Sequence, residues 1–209
     1  MPTLGTMKTR IANDLARSNL TSEIADSIDT AIAEYEMERF WFNESRSITF
    51  STVASQEWYT SSDNSNIPDL LQIDFVKLTD GTTNYGLKHV PYKELELISD
   101  ANNSDAQPIW YTMYAQQMRM YPVPDTAYTI TVSAHIKLGT PSDDASSNAW
   151  TTEAEMLIRS AAKRLLYEDV IHDDAKAARH ARQEHRALER LRAETTRRVG
   201  TGRIQPTEF

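Results

Sequence analysis

The chain has 209 residues, 40% hydrophobic and 25% charged, with no cysteine and a formal net charge of −8. This is the composition of a globular chain long enough to bury a core without staples. It excludes disulfides, thiolate metal sites and cysteine nucleophiles, and fits a reducing compartment. There is no apolar run long enough for a membrane-spanning helix, and Met1 to Asp14 lacks the apolar stretch of a secretory signal.

The charge is unevenly spread. Residues 1–175 carry 13 Lys/Arg against 26 Asp/Glu, whereas residues 176–209 carry 9 against 4. An acidic body thus continues into a basic C-terminal arm, and the net charge argues against wrapping nucleic acid with the whole surface.

Taken in chain order, Met7, Ile11 and Leu15 mark a short helix over Thr6 to Arg17, which breaks at Ser18-Asn19-Leu20. Thr21 is placed to cap a second helix, with Glu23 near its positive end and Ile24, Ile28, Ile32 and Tyr35 as its apolar stripe. The pair needs something to pack against. It ends in Phe40-Trp41-Phe42, read as an aromatic plug.

From about 46 to 140 the period changes to two. Ile48 and Phe50 alternate with polar neighbours, as do Leu71, Ile73 and Phe75, then Trp110, Thr112 and Tyr114, then Met118 and Met120. The cleanest strand is Thr129 to Leu138, with Ile130, Val132, Ala134, Ile136 and Leu138 on one face and His135 among polar residues on the other. Asp80-Gly81 signals a turn, and Pro122-Val123-Pro124-Asp125 is expected to join the Met118 and Tyr128 strands as a hairpin. The polar stretches Ser61–Asn66 and Ser99–Gln107 read as mobile loop tips.

The last third is helical again. Thr151 or Thr152 is expected to cap a helix carrying Ala154, Leu157, Ile158, Ala161, Leu165 and Leu166. After His172-Asp173-Asp174 a polar helix runs from about Ala175 to Arg197, with the thin apolar line Ala177, Ala181, Leu188, Leu191. Gly200 and Gly202 follow in the terminal segment. The predicted fold class is α+β. An α-helical bundle domain built from both chain ends (1–45 and 141–196) is interrupted by an antiparallel β-sandwich or barrel-like insertion (46–140), with a flexible tail at 197–209.

Catalysis needs convergent groups, and none is evident. The five histidines, His89, His135, His172, His180 and His185, form no metal-binding spacing. Asp173-Asp174 read as helix caps and Asp143-Asp144 as a turn pair. No glycine-rich phosphate loop and no nucleophile elbow occurs. We therefore expect no catalytic residue, no metal and no cofactor. The basic helix is read as a solvated face with intrahelical pairs such as Glu189–Arg192 and Glu184 near Arg190. Arg197, Arg198, Arg203, Ile204, Pro206 and Phe209 combine cations with hydrophobic anchors, which suits docking on a protein partner. Two other readings start from exposed aromatics or carboxylates. One is a carbohydrate-binding β-sandwich module of a virion or cell surface, using Trp58, Tyr59 and Trp110; the other is a hydrolase using Asp143-Asp144 or Asp169 to Asp174.

Several segments in order carry a resemblance. They are Ala31 through Glu44 with Glu34-Tyr35-Glu36 and Arg39-Phe40-Trp41-Phe42-Asn43, Ile67-Pro68-Asp69, Asp80-Gly81, Val90-Pro91-Tyr92-Lys93-Glu94-Leu95, Trp110-Tyr111, and Met118-Arg119-Met120-Tyr121-Pro122-Val123-Pro124-Asp125. Over about 6–195 the chain resembles the head-to-tail adaptor proteins of tailed bacteriophages, the class that includes tail tubular protein A of short-tailed phages. The resemblance implies a non-enzymatic ring, usually of twelve copies, in the virion neck, assembled in the host cytoplasm. It implies a portal protein above, docked by the C-terminal tail, and a downstream tail or nozzle protein below. Genomic DNA would pass through the lumen without sequence-specific binding. Duplex DNA carries one charge per roughly 1.7 Å, so a basic channel would grip it and an acidic one would let it slide.

Overall fold

The computed structural model describes residues 1–99 and 105–199. The chain divides into two compact units, one from residues 1–43 and the segment beginning at Leu138, the other from Glu44–Lys137. With helices toward both ends and a sheet in the middle, the class is α+β.

The helical unit begins with α1 (Leu4–Leu15), capped by the Thr3 hydroxyl, which accepts from the Thr6 amide at 3.2 Å. Met7, Ile11 and Leu15 are buried along one side, as the four-residue spacing requires. The helix start is clasped by the loop before Trp150. The Gly5 amide donates to the Asp144 carbonyl at 3.0 Å, and Lys8 pairs with the Asp144 carboxylate at 2.7 Å. A Cβ on Gly5 would lie 2.9 Å from that carbonyl, so the close approach requires glycine. In α2 (Thr21–Tyr35), Ile24, Ile28, Ala31 and Ile32 are buried. Thr21 is already helical; Leu20 occupies the cap position, and no side chain caps this end.

The C-terminal part of this unit opens with α4 (Ala149–Thr152). Its cap is Asn148 rather than Thr151 or Thr152, because Thr151 serves as the reciprocal partner in a capping box with Asn148. Next come α5 (Glu155–Leu165), a π-helical segment Leu166–Ile171, and α6 (Asp174–Val199). Asp173 caps α6 by accepting from the Lys176 amide at 3.0 Å; that backbone bond and the Lys176 ammonium hold its carboxyl below the usual range. The core of the unit joins α1, α2, α5 and α6 around Trp150 and Phe40. Phe40 stacks on Phe42 at 5.1 Å and meets Trp150 edge-on at 6.0 Å, so the aromatic knot is a plug inside the helical unit. Leu138, expected on the inner face of the long strand, packs against this core instead.

The β unit is a seven-stranded sheet of β1 (Glu44–Ser51), β2 (Trp58–Tyr59), β3 (Leu70–Asp80), β4 (Thr83–His89), β5 (Trp110–Tyr114), β6 (Gln117–Tyr121) and β7 (Thr129–Ile136). The spatial order is β1-β7-β3-β4-β5-β6-β2. Residues from both ends of this order share one core, including Phe50 and Ile130 from one end and Tyr59, Met118 and Met120 from the other, so the sheet curls around its own interior.

Four expectations change here. First, β6 and β7 do not form a hairpin. β7 lies between β1 and β3, and β6 lies between β5 and β2, so the proline-rich link joins strands that are not neighbours in the sheet. Second, one pair is parallel, β4 with β5. The crossover that a parallel pair needs contains a helix absent from the sequence reading, α3 (Tyr92–Ser99), which starts directly after Pro91. Third, Phe75 is half-exposed, while Val76 and Leu78 are buried. A register irregularity between Ile73 and Phe75 shifts the inward face by one residue. Fourth, His135 is buried, at 2% exposure, opposite Glu44 and Gln72, where the registers of both flanking strands are irregular.

The loop Ser61–Asn66 is tied down. Asp63 accepts from the Thr60 amide at 2.7 Å and from the Gln56 side chain at 2.9 Å. Of the second expected tip, positions 100–104 lie outside the described residues.

Candidate docking interface

The cations of the expected dock start on the last turns of α6. Arg197 and Arg198, assigned to a flexible tail from sequence, are helical, since α6 continues to Val199. Arg203, Ile204, Pro206 and Phe209 lie outside the described residues. The two arginines are held differently. The Arg198 guanidinium lies over the Trp41 ring at 3.7 Å and donates to Glu194 at 2.6 Å. Its neighbour Arg197 is 79% exposed, with Glu194 only at 4.0 Å. The Trp41 amide donates to Thr195 at 3.3 Å, so the end of α6 is tied to the aromatic knot at two points.

Further back, α6 is anchored by a buried ionic group. Glu184, 6% exposed, accepts from the Tyr35 hydroxyl at 2.5 Å and from Arg164 Nε at 2.6 Å. Arg164 also reaches Glu34 at 2.8 Å and Glu168 at 3.1 Å. The carboxylates raise the guanidinium pKa further, the Glu184 hydrogen bond most of all. Burial, then the Glu184 hydrogen bond, raises that of the Tyr35 hydroxyl. Glu184 therefore pairs between helices and not with Arg190 on its own helix. The expected Glu189–Arg192 pair is present at 3.2 Å, and Arg192 also binds Glu38.

The sequence reading missed the arrangement of the remaining arginines. Arg179, Arg182, Arg186, Arg190 and Arg197 are all exposed and follow spacings of three, four, four and seven. Those spacings put them on one helix face. Among the described residues, the first four form no ion pair with a carboxylate. The spacing was legible; the assumption that nearby glutamates would neutralise each arginine concealed it.

The other candidate groups have structural employment. Asp143 accepts from the Ala145 and Ser146 amides at 2.9 and 2.8 Å, and Asp144 clasps α1. The described residues contain no group of three or more His, Asp or Glu able to hold a metal. His180 lies flat against Tyr167 at 5.4 Å; burial, and then Lys163, lower its pKa. Tyr59 is fully buried, and its hydroxyl is pushed up to about 12 by burial. Trp58 lies under the Arg119 guanidinium at 5.5 Å and beside Tyr92 at 6.3 Å. Trp110 stacks on Tyr121 at 6.0 Å. Arg119 is itself buried, bound to Glu57, to Glu96 at 2.7 Å and to Ser99 at 3.0 Å. These three aromatics therefore offer no shared open platform on which a sugar ring could stack.

A helical unit whose last helix ends in cations, and a β unit with its own closed core, suit a protein that works through its surfaces. Comparison with protein-family models gives the class, that of structural head–tail adaptors of phages. The chain matches the model of the SU10 adaptor protein family over residues 2–206, and it belongs to that family. The match names this family rather than the tail tubular protein A class. A search among curated proteins gave no match. Family membership makes the protein a structural component of the virion neck. Among the described residues, no helix is long and apolar enough to cross a membrane.

Proposed function

We propose that the protein forms a ring of twelve copies under the capsid portal, joins it to a downstream tail or nozzle protein, and lets the genome pass through its lumen. In this reading it performs no catalysis, and it is made in the host cytoplasm before joining the neck. The observation that carries the reading is the family match, which spans both units and reaches residue 206. The exposed cation Arg197 adds to it, at the end of a helix that is otherwise anchored by Arg198 on Trp41. Arg197 and Arg198 precede Arg203, Ile204, Pro206 and Phe209, and in this proposal the whole set docks on the portal, with Arg198 setting the helix direction. Each copy binds weakly, and the ring makes the attachment firm through multivalency.

The test is electron microscopy of portal-bearing heads incubated with the purified protein. The proposal expects an added ring of density on the portal axis, with a copy number matching the portal. Heads that remain bare at saturating protein would contradict it.

A further inference from the structure

The unpaired arginine face of α6 has a counterpart on the same unit. A groove between α2 and the π-helical segment is lined by Glu23, Asp26 and Asp169, with Ser27, Thr30 and the apolar side chains of Leu165 and Val170. Asp29, one turn along α2, is exposed beside it. Among the described residues, none of these four carboxylates forms a salt bridge. The groove therefore offers what an arginine needs, an apolar bed for the stem and carboxylates for the head.

The two faces do not meet within one copy. Helix α5 packs along both α2 and α6, so each charged face is the side of its helix turned away from the shared core. A surface that is basic on one face and acidic on another is complementary to a second copy placed head to tail. Repeating that contact closes a ring when the rotation between copies permits it. The charge distribution sets this against duplex DNA as the occupant. Within the helical unit itself, residues 1–43 and 138–175 carry 7 Lys/Arg against 15 Asp/Glu, so a polyanion brought to α6 would meet a unit whose other surfaces are acidic.

We infer that the Arg179, Arg182, Arg186 and Arg190 face of α6 seats in the Glu23, Asp26 and Asp169 groove of a neighbouring copy, forming the electrostatic seam of the ring. The inference rests on the ring proposed above, and it identifies which surfaces build it. Charged pairs at a seam bring copies together in the right register and weaken with salt.

The experiment uses two charge-reversed proteins, Arg182→Glu/Arg186→Glu/Arg190→Glu and Asp26→Lys/Asp29→Lys/Asp169→Lys. All six positions are exposed, and melting curves check that both variants fold. Self-association is measured by sedimentation at high protein concentration and low salt, and assembly is measured on portal-bearing heads. The parent should associate in a salt-sensitive way. Each variant alone should lose association by about tenfold or more. An equimolar mixture should regain it, because every seam in an alternating ring again joins a basic to an acidic face. Variants that associate like the parent, or a mixture that stays apart, overturn the seam. So does an arginine variant whose only loss is binding to a short duplex DNA, which would assign the face to nucleic acid. If the parent attaches to heads and the reversed variants attach equally well, the seam fails while the adaptor reading stands. If the parent neither associates nor attaches, both fall.

Discussion

Arg198 covers the indole of Trp41, with its guanidinium carbon 3.7 Å from the ring centroid, and so fixes the last turn of α6 to the segment that follows α2. The contact joins residues 157 positions apart in the sequence. It separates two roles within one Arg-Arg pair: Arg198 positions the helix end, and Arg197 stays open to a partner.

Replacing Arg198 by alanine removes the ring contact and the Glu194 pair together. An exposed cation–π contact contributes about 0.5–1 kcal/mol, so the melting temperature should hardly change. Amide exchange at Thr195 to Arg198 should quicken several-fold, while α5 is unaffected. Unchanged exchange would mean that the Trp41 contact does not hold the helix end.

Glu184 should behave very differently. Glu184→Ala leaves the Tyr35 hydroxyl without its acceptor and Arg164 with Glu34 and Glu168 alone, and unsatisfied buried polar groups of this kind cost about 1–3 kcal/mol. Denaturant unfolding should show this loss, with Glu184→Gln intermediate because it keeps a hydrogen-bonding oxygen. A loss no greater than that of an exposed ion pair would show that the network contributes little to holding α6.

The link between β5 and β6 is a further target. Ala115 and Gln116 have φ of 50° and 59°, a left-handed pair that a two-residue hairpin demands and that neither side chain favours. Replacing them by Asn-Gly should stabilise the protein by about 1 kcal/mol. The check is the midpoint of denaturant unfolding, which should rise without a change in slope.

His180 predicts a pH dependence. Burial and Lys163 depress its pKa from the ordinary 6.5, so the folded state binds the proton less readily than the unfolded state. The stabilising contribution is fully present above 6.5 and is lost as pH falls from there through the depressed folded value. Melting temperature should therefore drop between neutral and mildly acidic pH, and His180→Gln should flatten that drop. Asp14, whose pairing with Lys163 and Arg159 outweighs burial and lowers its pKa, acts in a separate window below 3.8. A parent profile that is flat near neutrality would contradict the His180 assignment.

Where apolar spacing alone decides a face, sequence and structure agree closely. Ile24, Ile28 and Ile32 on α2 and Ile130, Val132 and Ala134 on β7 are buried as their periods require. Disagreements arise where a distant element decides. His135 sits at a polar position in the alternation, yet it is buried where both flanking strands have irregular registers that the local pattern does not show. Phe75 was misplaced because a register irregularity leaves no mark in composition. The proline-rich link after Tyr121 looks like a hairpin locally, but β7 takes its place between β1 and β3 rather than beside β6. Arg164 and Glu184 are twenty residues apart, so neither could be named as the other's partner from local spacing. At the interface, the arginine spacing is readable in the sequence, but the absence of direct ion pairs to Arg179, Arg182, Arg186 and Arg190 depends on where Glu184, Glu189 and Glu194 point.

The account turns on how the end of the chain engages the portal. Because α6 is anchored through Arg198, a truncation after Val199 preserves every described contact of the helical unit. It removes Arg203, Ile204, Pro206 and Phe209. The decisive measurement is attachment of this truncated protein to portal-bearing heads, beside its melting curve. The account predicts a protein that melts like the parent and fails to attach. A truncated protein that attaches at the parental level would contradict it and transfer the portal contact to the helical unit itself.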